Sequence, residues 1–190
     1  EELSGTNLGL TDAKYEEISS TRPATGAQFA NGPIAFKWSI NNTQYWMPKY
    51  SYLRARVKLD NGASPALIVP GSAPNKLLLA QLFTSAEFRI NGVVVNKVNS
   101  FLPQVERQTK TQSQLINNHV EGLASFPSRK MEYSGNGAGT GPTHMLEFDV
   151  IWKPSSLGIF NLDHALPTGQ YELTLNPQPT SLIKFLALET

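Results

Sequence analysis

No cysteine occurs among the 190 residues, so disulfides, thiolate metal sites and a cysteine nucleophile are all excluded. Charge is scarce as well: charged residues make up 16% of the chain against 40% hydrophobic residues, a balance that implies extensive surface hidden in a core or against other subunits. Neither sign of charge dominates. The 16 Lys+Arg residues against 15 Asp+Glu leave a net charge of +1, too weak a field to gather nucleic acid or an anionic membrane, and a genome-binding role would need a further segment. Long apolar runs are missing too. Stretches such as Ala66-Leu67-Ile68-Val69 and Leu77-Leu78-Leu79-Ala80 fall far short of the roughly 20 residues of a membrane helix, and no membrane span is expected. The opening Glu1-Glu2-Leu3-Ser4 has neither the basic region nor the apolar run of a signal peptide, so the natural N-terminus is expected to have been cleaved or to lie upstream.

What is present reads as short strands. Ile34, Phe36, Trp38 and Ile40 alternate with smaller or polar residues at the strand period of two. Asn41-Asn42-Thr43-Gln44 then predicts a turn and Tyr45-Trp46-Met47 a returning strand, making a hairpin that Pro48 interrupts. From Tyr50 to Leu59 the residues Leu53, Ala55, Val57 and Leu59 face one way, and Arg54, Arg56 and Lys58 the other. Phe88-Arg89-Ile90 and Val93-Val94-Val95 flank Asn91-Gly92, the dipeptide best suited to a type I′ hairpin turn. Further strands are predicted at Met145–Trp152, Tyr171–Leu175 and Leu182–Leu188, whereas Leu77 to Phe83 fits a short helix or a strand equally well. A single helix is expected over about residues 100–117, capped by Ser100, with Leu102, Val105, Gln108, Gln112, Leu115 and Ile116 at three- and four-residue steps and Pro103 in its first turn. Short strands punctuated by 14 Gly and 13 Pro predict an all-β, antiparallel β-sandwich with one inserted helix and long loops. Residues 1–32 read as an extended N-terminal arm and residues 33–190 as the sandwich domain; Leu8, Leu10, Tyr15, Ile18 and Phe29 give the arm apolar residues to bury on a neighbouring subunit.

Chemistry is sparse. His119, His144 and His164 stand apart with no metal-binding spacing, and Asp163-His164 lacks a serine in a nucleophile elbow. Glu147 and Asp149 share a strand face, as paired acids of a glycosidase could, yet the same spacing describes a solvated face alternating with Leu146, Phe148 and Val150. The glycines of residues 135–141 lack the remainder of a phosphate loop, and Asn41-Asn42-Thr43 is a glycosylation sequon only on a secretory route. No catalytic, cofactor-binding or metal-binding residue is therefore expected, and the chain reads as a non-enzyme. Arg54, Arg56 and Lys58 are read as a solvated face and not as a nucleic-acid stripe. The aromatic set Trp38, Tyr45, Trp46, Tyr50 and Tyr52 has two readings: core and subunit contact, or the stacking platform of a carbohydrate-binding, lectin-like sandwich with a glycan as ligand.

From Phe88 onward the order of features resembles the jelly-roll modules of the double-jelly-roll major capsid proteins of tailless icosahedral DNA viruses. There, a strand, an Asn-containing turn and a second strand lead into a helix, as Phe88-Arg89-Ile90-Asn91-Gly92-Val93-Val94-Val95 leads into Phe101 to Ile116. Later, a segment close to φ-F-N-x-D-x-x-L-P-x-G precedes a strand, as residues 158–169, with Ile159-Phe160-Asn161, Asp163 and Leu166-Pro167-Thr168-Gly169, precede Tyr171-Glu172-Leu173-Thr174-Leu175. The likeness covers about half of the chain. It implies a sandwich of jelly-roll type, a capsid structural protein located in the virion, and copies of itself and other capsid proteins as partners. The family carries two modules per chain and 190 residues hold one, so one module or a single-jelly-roll relative is expected.

Overall fold

The computed structural model describes residues 13–23, 28–60, 72–74, 79–109, 122–123, 130–134, 143–179 and 186–188. Among the described residues the chain is mostly β, every strand pairing is antiparallel, and there is one α-helix. The strands are β1 (Ile34–Ile40), β2 (Leu53–Asp60), β3 (Ser72–Pro74), β4 (Phe83–Ile90), β5 (Val93–Val98), β6 (Gly122–Leu123), β7 (Lys130–Ser134), β8 (Thr143–Trp152), β9 (Gly169–Pro177) and β10 (Leu186–Leu188), with helix α1 (Leu102–Thr109) after β5.

One sheet has the order β1-β9-β4-β5. Its inner face follows from the period of two: Ile34 on β1, Phe88 on β4, and Tyr171, Leu173 and Leu175 on β9 are buried, while Lys37 and Ser39 stay exposed. Phe36, Trp38 and Ile40 pack against that core from β1. Asn91 (φ 50°) and Gly92 (φ 81°) form the turn between β4 and β5, both in the left-handed region that a type I′ hairpin requires. Asn91 also reaches sideways, since its amide donates to the Gln170 carbonyl at 2.8 Å and its Oδ1 accepts from the Gln170 amide at 2.8 Å. Phe88 faces Asn96 and Arg89 faces Val94, so Val95 is an extra residue in β5 and the strand bulges there.

The second sheet has the order β2-β8-β6, with β7 also pairing β8, and β3 pairs β10 separately. Its register sets Leu53 opposite Trp152 and Ala55 opposite Val150, and the two sheets meet where Trp152 stacks on Phe83 of β4 at 6.0 Å. Leu53, Ala55 and the fully buried Leu157 belong to the same core.

The returning strand expected at Tyr45–Met47 does not pair with β1. Trp46 instead exchanges hydrogen bonds with Leu166, at 2.9 and 2.7 Å, and β1 pairs with β9. The reason is the indole: Trp46 packs against Phe88, Phe160 and Tyr171, a larger burial than a two-stranded excursion could offer. Asn41 does turn the chain, its Oδ1 accepting from the Thr43 amide at 3.0 Å.

Helix α1 starts at Leu102, and the carbonyl that receives its first bonds is that of Phe101, which accepts from Gln104 and Val105 at 3.0 Å; Ser100 is not the cap. Residues 110–117 of the expected helix lie outside the described residues, as do the glycines of residues 135–141 and Leu182. Leu77 to Phe83 resolves into a 3-10 turn at Ala80–Leu82 that leads directly into β4, its first residues outside the described set.

Candidate assembly surface

The described side chains that could do chemistry are dispersed. Asp163 is exposed and held by Lys49 at 2.7 Å; that hydrogen bond keeps its carboxyl below the usual aspartate range and raises the lysine above its own. His164 is exposed beside it, His119 lies outside the described residues, and His144 stands on β8 opposite Tyr133 of β7. Among the described residues no group of three or more His, Asp or Glu could hold a metal ion, and no helix is long and apolar enough to cross a membrane.

The cationic row of β2 is interleaved with carboxylates by the register. Arg56 stands opposite Asp149, Lys58 opposite Glu147, and Lys130 of β7 flanks Glu147 from the other side. The two carboxylates that could have been paired acids thus stand at register positions opposite Arg56, Lys58 and Lys130, while Arg54 stands opposite Ile151.

The aromatic set divides. Trp38 and Trp46 meet edge-on at 5.0 Å, Trp38 stacks on Tyr171 at 5.8 Å, and Trp46 stacks on Phe88 at 5.6 Å. The Trp46 Nε1 donates to Ser51 Oγ at 2.7 Å and the Tyr171 hydroxyl donates to the Pro167 carbonyl, whereas the Trp38 Nε1 is buried without a hydrogen-bond partner; burial pushes the Tyr171 phenol above its ordinary value. Tyr45, Tyr50 and Tyr52 remain on the surface. The five residues therefore do not form one stacking platform.

Several large apolar and aromatic residues also stand at the surface. Besides the three tyrosines, the exposed large hydrophobics among the described residues are Tyr15, Val93, Val94, Val95, Leu162 and Phe101. The three valines are consecutive and all exposed, with the bulge of β5 at Val95. Phe101 combines 70% exposure with a φ of 58°, a left-handed conformation that a bulky residue adopts only at a cost. No signal in the sequence marked Phe101.

One buried charge also escaped the sequence pattern. Glu106 of α1 is fully buried, and its Oε1 accepts from the Ser156 amide at 2.8 Å and from the Ser156 hydroxyl, tying the helix to the loop between β8 and β9. The helical spacing of apolar residues marked Leu102 and Val105 but had no means of marking a carboxylate. No family model, curated protein or solved structure matches this chain.

Proposed function

We propose that this chain is a capsid structural protein: a jelly-roll module that acts by assembling with copies of itself and with other capsid proteins in a virion, and not by catalysis. The observation that carries the reading is the nested strand pairing. β1 pairs with β9 in one sheet while β2 pairs with β8 in the other, and β4 returns to the first sheet beside β9. A jelly roll likewise pairs an early strand with a late one in one sheet and the next strand with the preceding late one in the other, which supports the reading, while β4 and β5 stay together in one sheet as a hairpin. The exposed valines, Phe101 and the surface tyrosines support the same reading, because interface cores favour aromatic residues and deplete charge. The carboxylates set opposite Arg56, Lys58 and Lys130 support a role that does not depend on nucleic acid. The N-terminal segment is assigned the part of an assembly arm on its exposed Tyr15 and the apolar residues before it.

Native mass spectrometry with light scattering over a range of concentrations tests the proposal. Trimers, pentamers or shell-sized particles are expected, losing mass when residues 1–19 are deleted or when Phe101 is changed to Ser. A strict monomer at every concentration would overturn the assembly reading.

A further inference from the structure

The β1 edge of the four-stranded sheet is met at Ala35 and Phe36 by the chain's own N-terminal segment. Ser20 forms a bridge with Phe36, and the Thr21 amide donates to the Ala35 carbonyl at 2.8 Å. One side chain organises this segment. The Arg22 guanidinium directs Nε to the Pro33 carbonyl at 2.8 Å, Nη1 to the carbonyls of Pro23 at 3.1 Å and Gln28 at 2.7 Å, and Nη2 to those of Phe29 at 2.9 Å and Gly32. A guanidinium has five N–H groups in a rigid fork, and here each has a main-chain acceptor. Among the described residues no carboxylate pairs with it. The loop so gathered sets Phe29 against Phe83 at 5.8 Å, anchoring it to the core.

We propose that Arg22 is the clamp of an intramolecular strap, built by residues 20–23 and 28–33, that guards the β1 edge against strand addition by a second copy of this chain. The two edges of the sheet are protected differently. β5 carries a bulge, which spoils pairing, whereas β1 keeps seven consecutive register positions with β9 and no bulge, so its free side is a regular template. The one charge on β1, Lys37 at its centre, pairs with Glu172 at 3.4 Å, so it offers that edge only a weak barrier beside the strap. The clamp holds the strap by geometry and not by charge alone. A lysine at position 22 keeps the charge but has three donors at one point, and cannot span carbonyls from Pro23 to Pro33.

The test uses the full chain and two variants, Arg22→Ala and Arg22→Lys, with hydrogen exchange and native mass as readouts. In both variants the Thr21 and Asn31 amides, hydrogen-bonded to Ala35 and Gln28 in the strap, should exchange about tenfold faster or more, while the Asn91 amide in the distant hairpin keeps its rate. Both should also self-associate at concentrations where the parent chain does not gain mass. If Arg22→Ala fails to fold, Arg22→Lys supplies the same readouts. Unchanged strap exchange, or full rescue by lysine, would overturn the clamp. A uniform rise that includes Asn91 would make Arg22 a general stability residue and overturn the strap; faster strap exchange with no gain in mass would overturn the guarding of the edge. The assembly reading is decided separately, by the mass of the parent chain.

Discussion

Trp46 and Tyr50 stand four residues apart in one loop and have opposite fates. Trp46 lies among Phe88, Phe160 and Tyr171 with its indole nitrogen bonded to Ser51, while Tyr50 is 55% exposed and its neighbour Lys49 reaches across the surface to Asp163. The loop crosses from interior to surface between these residues, and the 3-10 turn at Pro48–Tyr50 makes the crossing. Aromatic density along a chain thus carries two quantities at once: rings that build the core and rings that stay at the surface.

The sharpest way to break that comparison is truncation on each side of it. Phe88→Ala removes a ring that is 0% exposed and touches both Trp38 and Trp46, and it should cost about 3–5 kcal/mol in urea unfolding. Tyr50→Ala should stay within about 0.5 kcal/mol in the same measurement. Equal losses would mean that Tyr50 belongs to the fold and not to a contact surface.

A second contrast concerns charges. Glu106 is fully buried and bonded to Ser156, so Glu106→Ala strands those donors and should cost about 1–3 kcal/mol. Glu106→Gln retains an acceptor and should cost less. Asp163→Asn, at the exposed Lys49 pair, should leave the unfolding midpoint unchanged. A loss at Asp163 as large as that at Glu106 would erase the distinction.

The smallest effect is a pH dependence. Hydrogen bonds from Arg89 and Lys97 hold the Glu87 carboxyl below its ordinary value of 4.5. A carboxyl depressed in the folded state contributes stability above its unfolded pKa and loses it as pH falls through the folded value. Glu87→Gln should therefore be destabilised by under about 1 kcal/mol at neutral pH, and the gap should close on acidification below about 4.5. A gap that persists at low pH would assign the effect to packing.

Much of the strand content was legible because a half-buried strand writes its own period: Ile34 to Ile40 and Leu53 to Leu59 alternate, and both are strands in place. The Asn91-Gly92 turn was equally readable, since its two positive φ values restrict which residues can stand there. The expected hairpin at Tyr45–Met47 failed for a different reason. A turn signal fixes where the chain reverses but not which strand it then joins, and the burial of Trp46 against rings from β4 and β9 decided that. The apolar surface was only partly legible. Val93 to Val95 looked like an ordinary strand, and neither the bulge at Val95 nor the exposure of all three could be read before β5 met β4.

The sequence by itself determined the material of this protein: no thiol chemistry, little charge, short alternating strands and one helix, because these depend on composition and on periods spanning a few residues. Tertiary structure alone decided which rings of one loop are interior, that Arg56 and Lys58 stand opposite Asp149 and Glu147, that Glu106 is buried, and that Arg22 gathers carbonyls from as far along the chain as Pro33. Each of these is a pairing between residues distant in the chain or gathered by a loop. Local propensity has no access to such pairings, which are selected by the combined burial and hydrogen bonding of the whole fold.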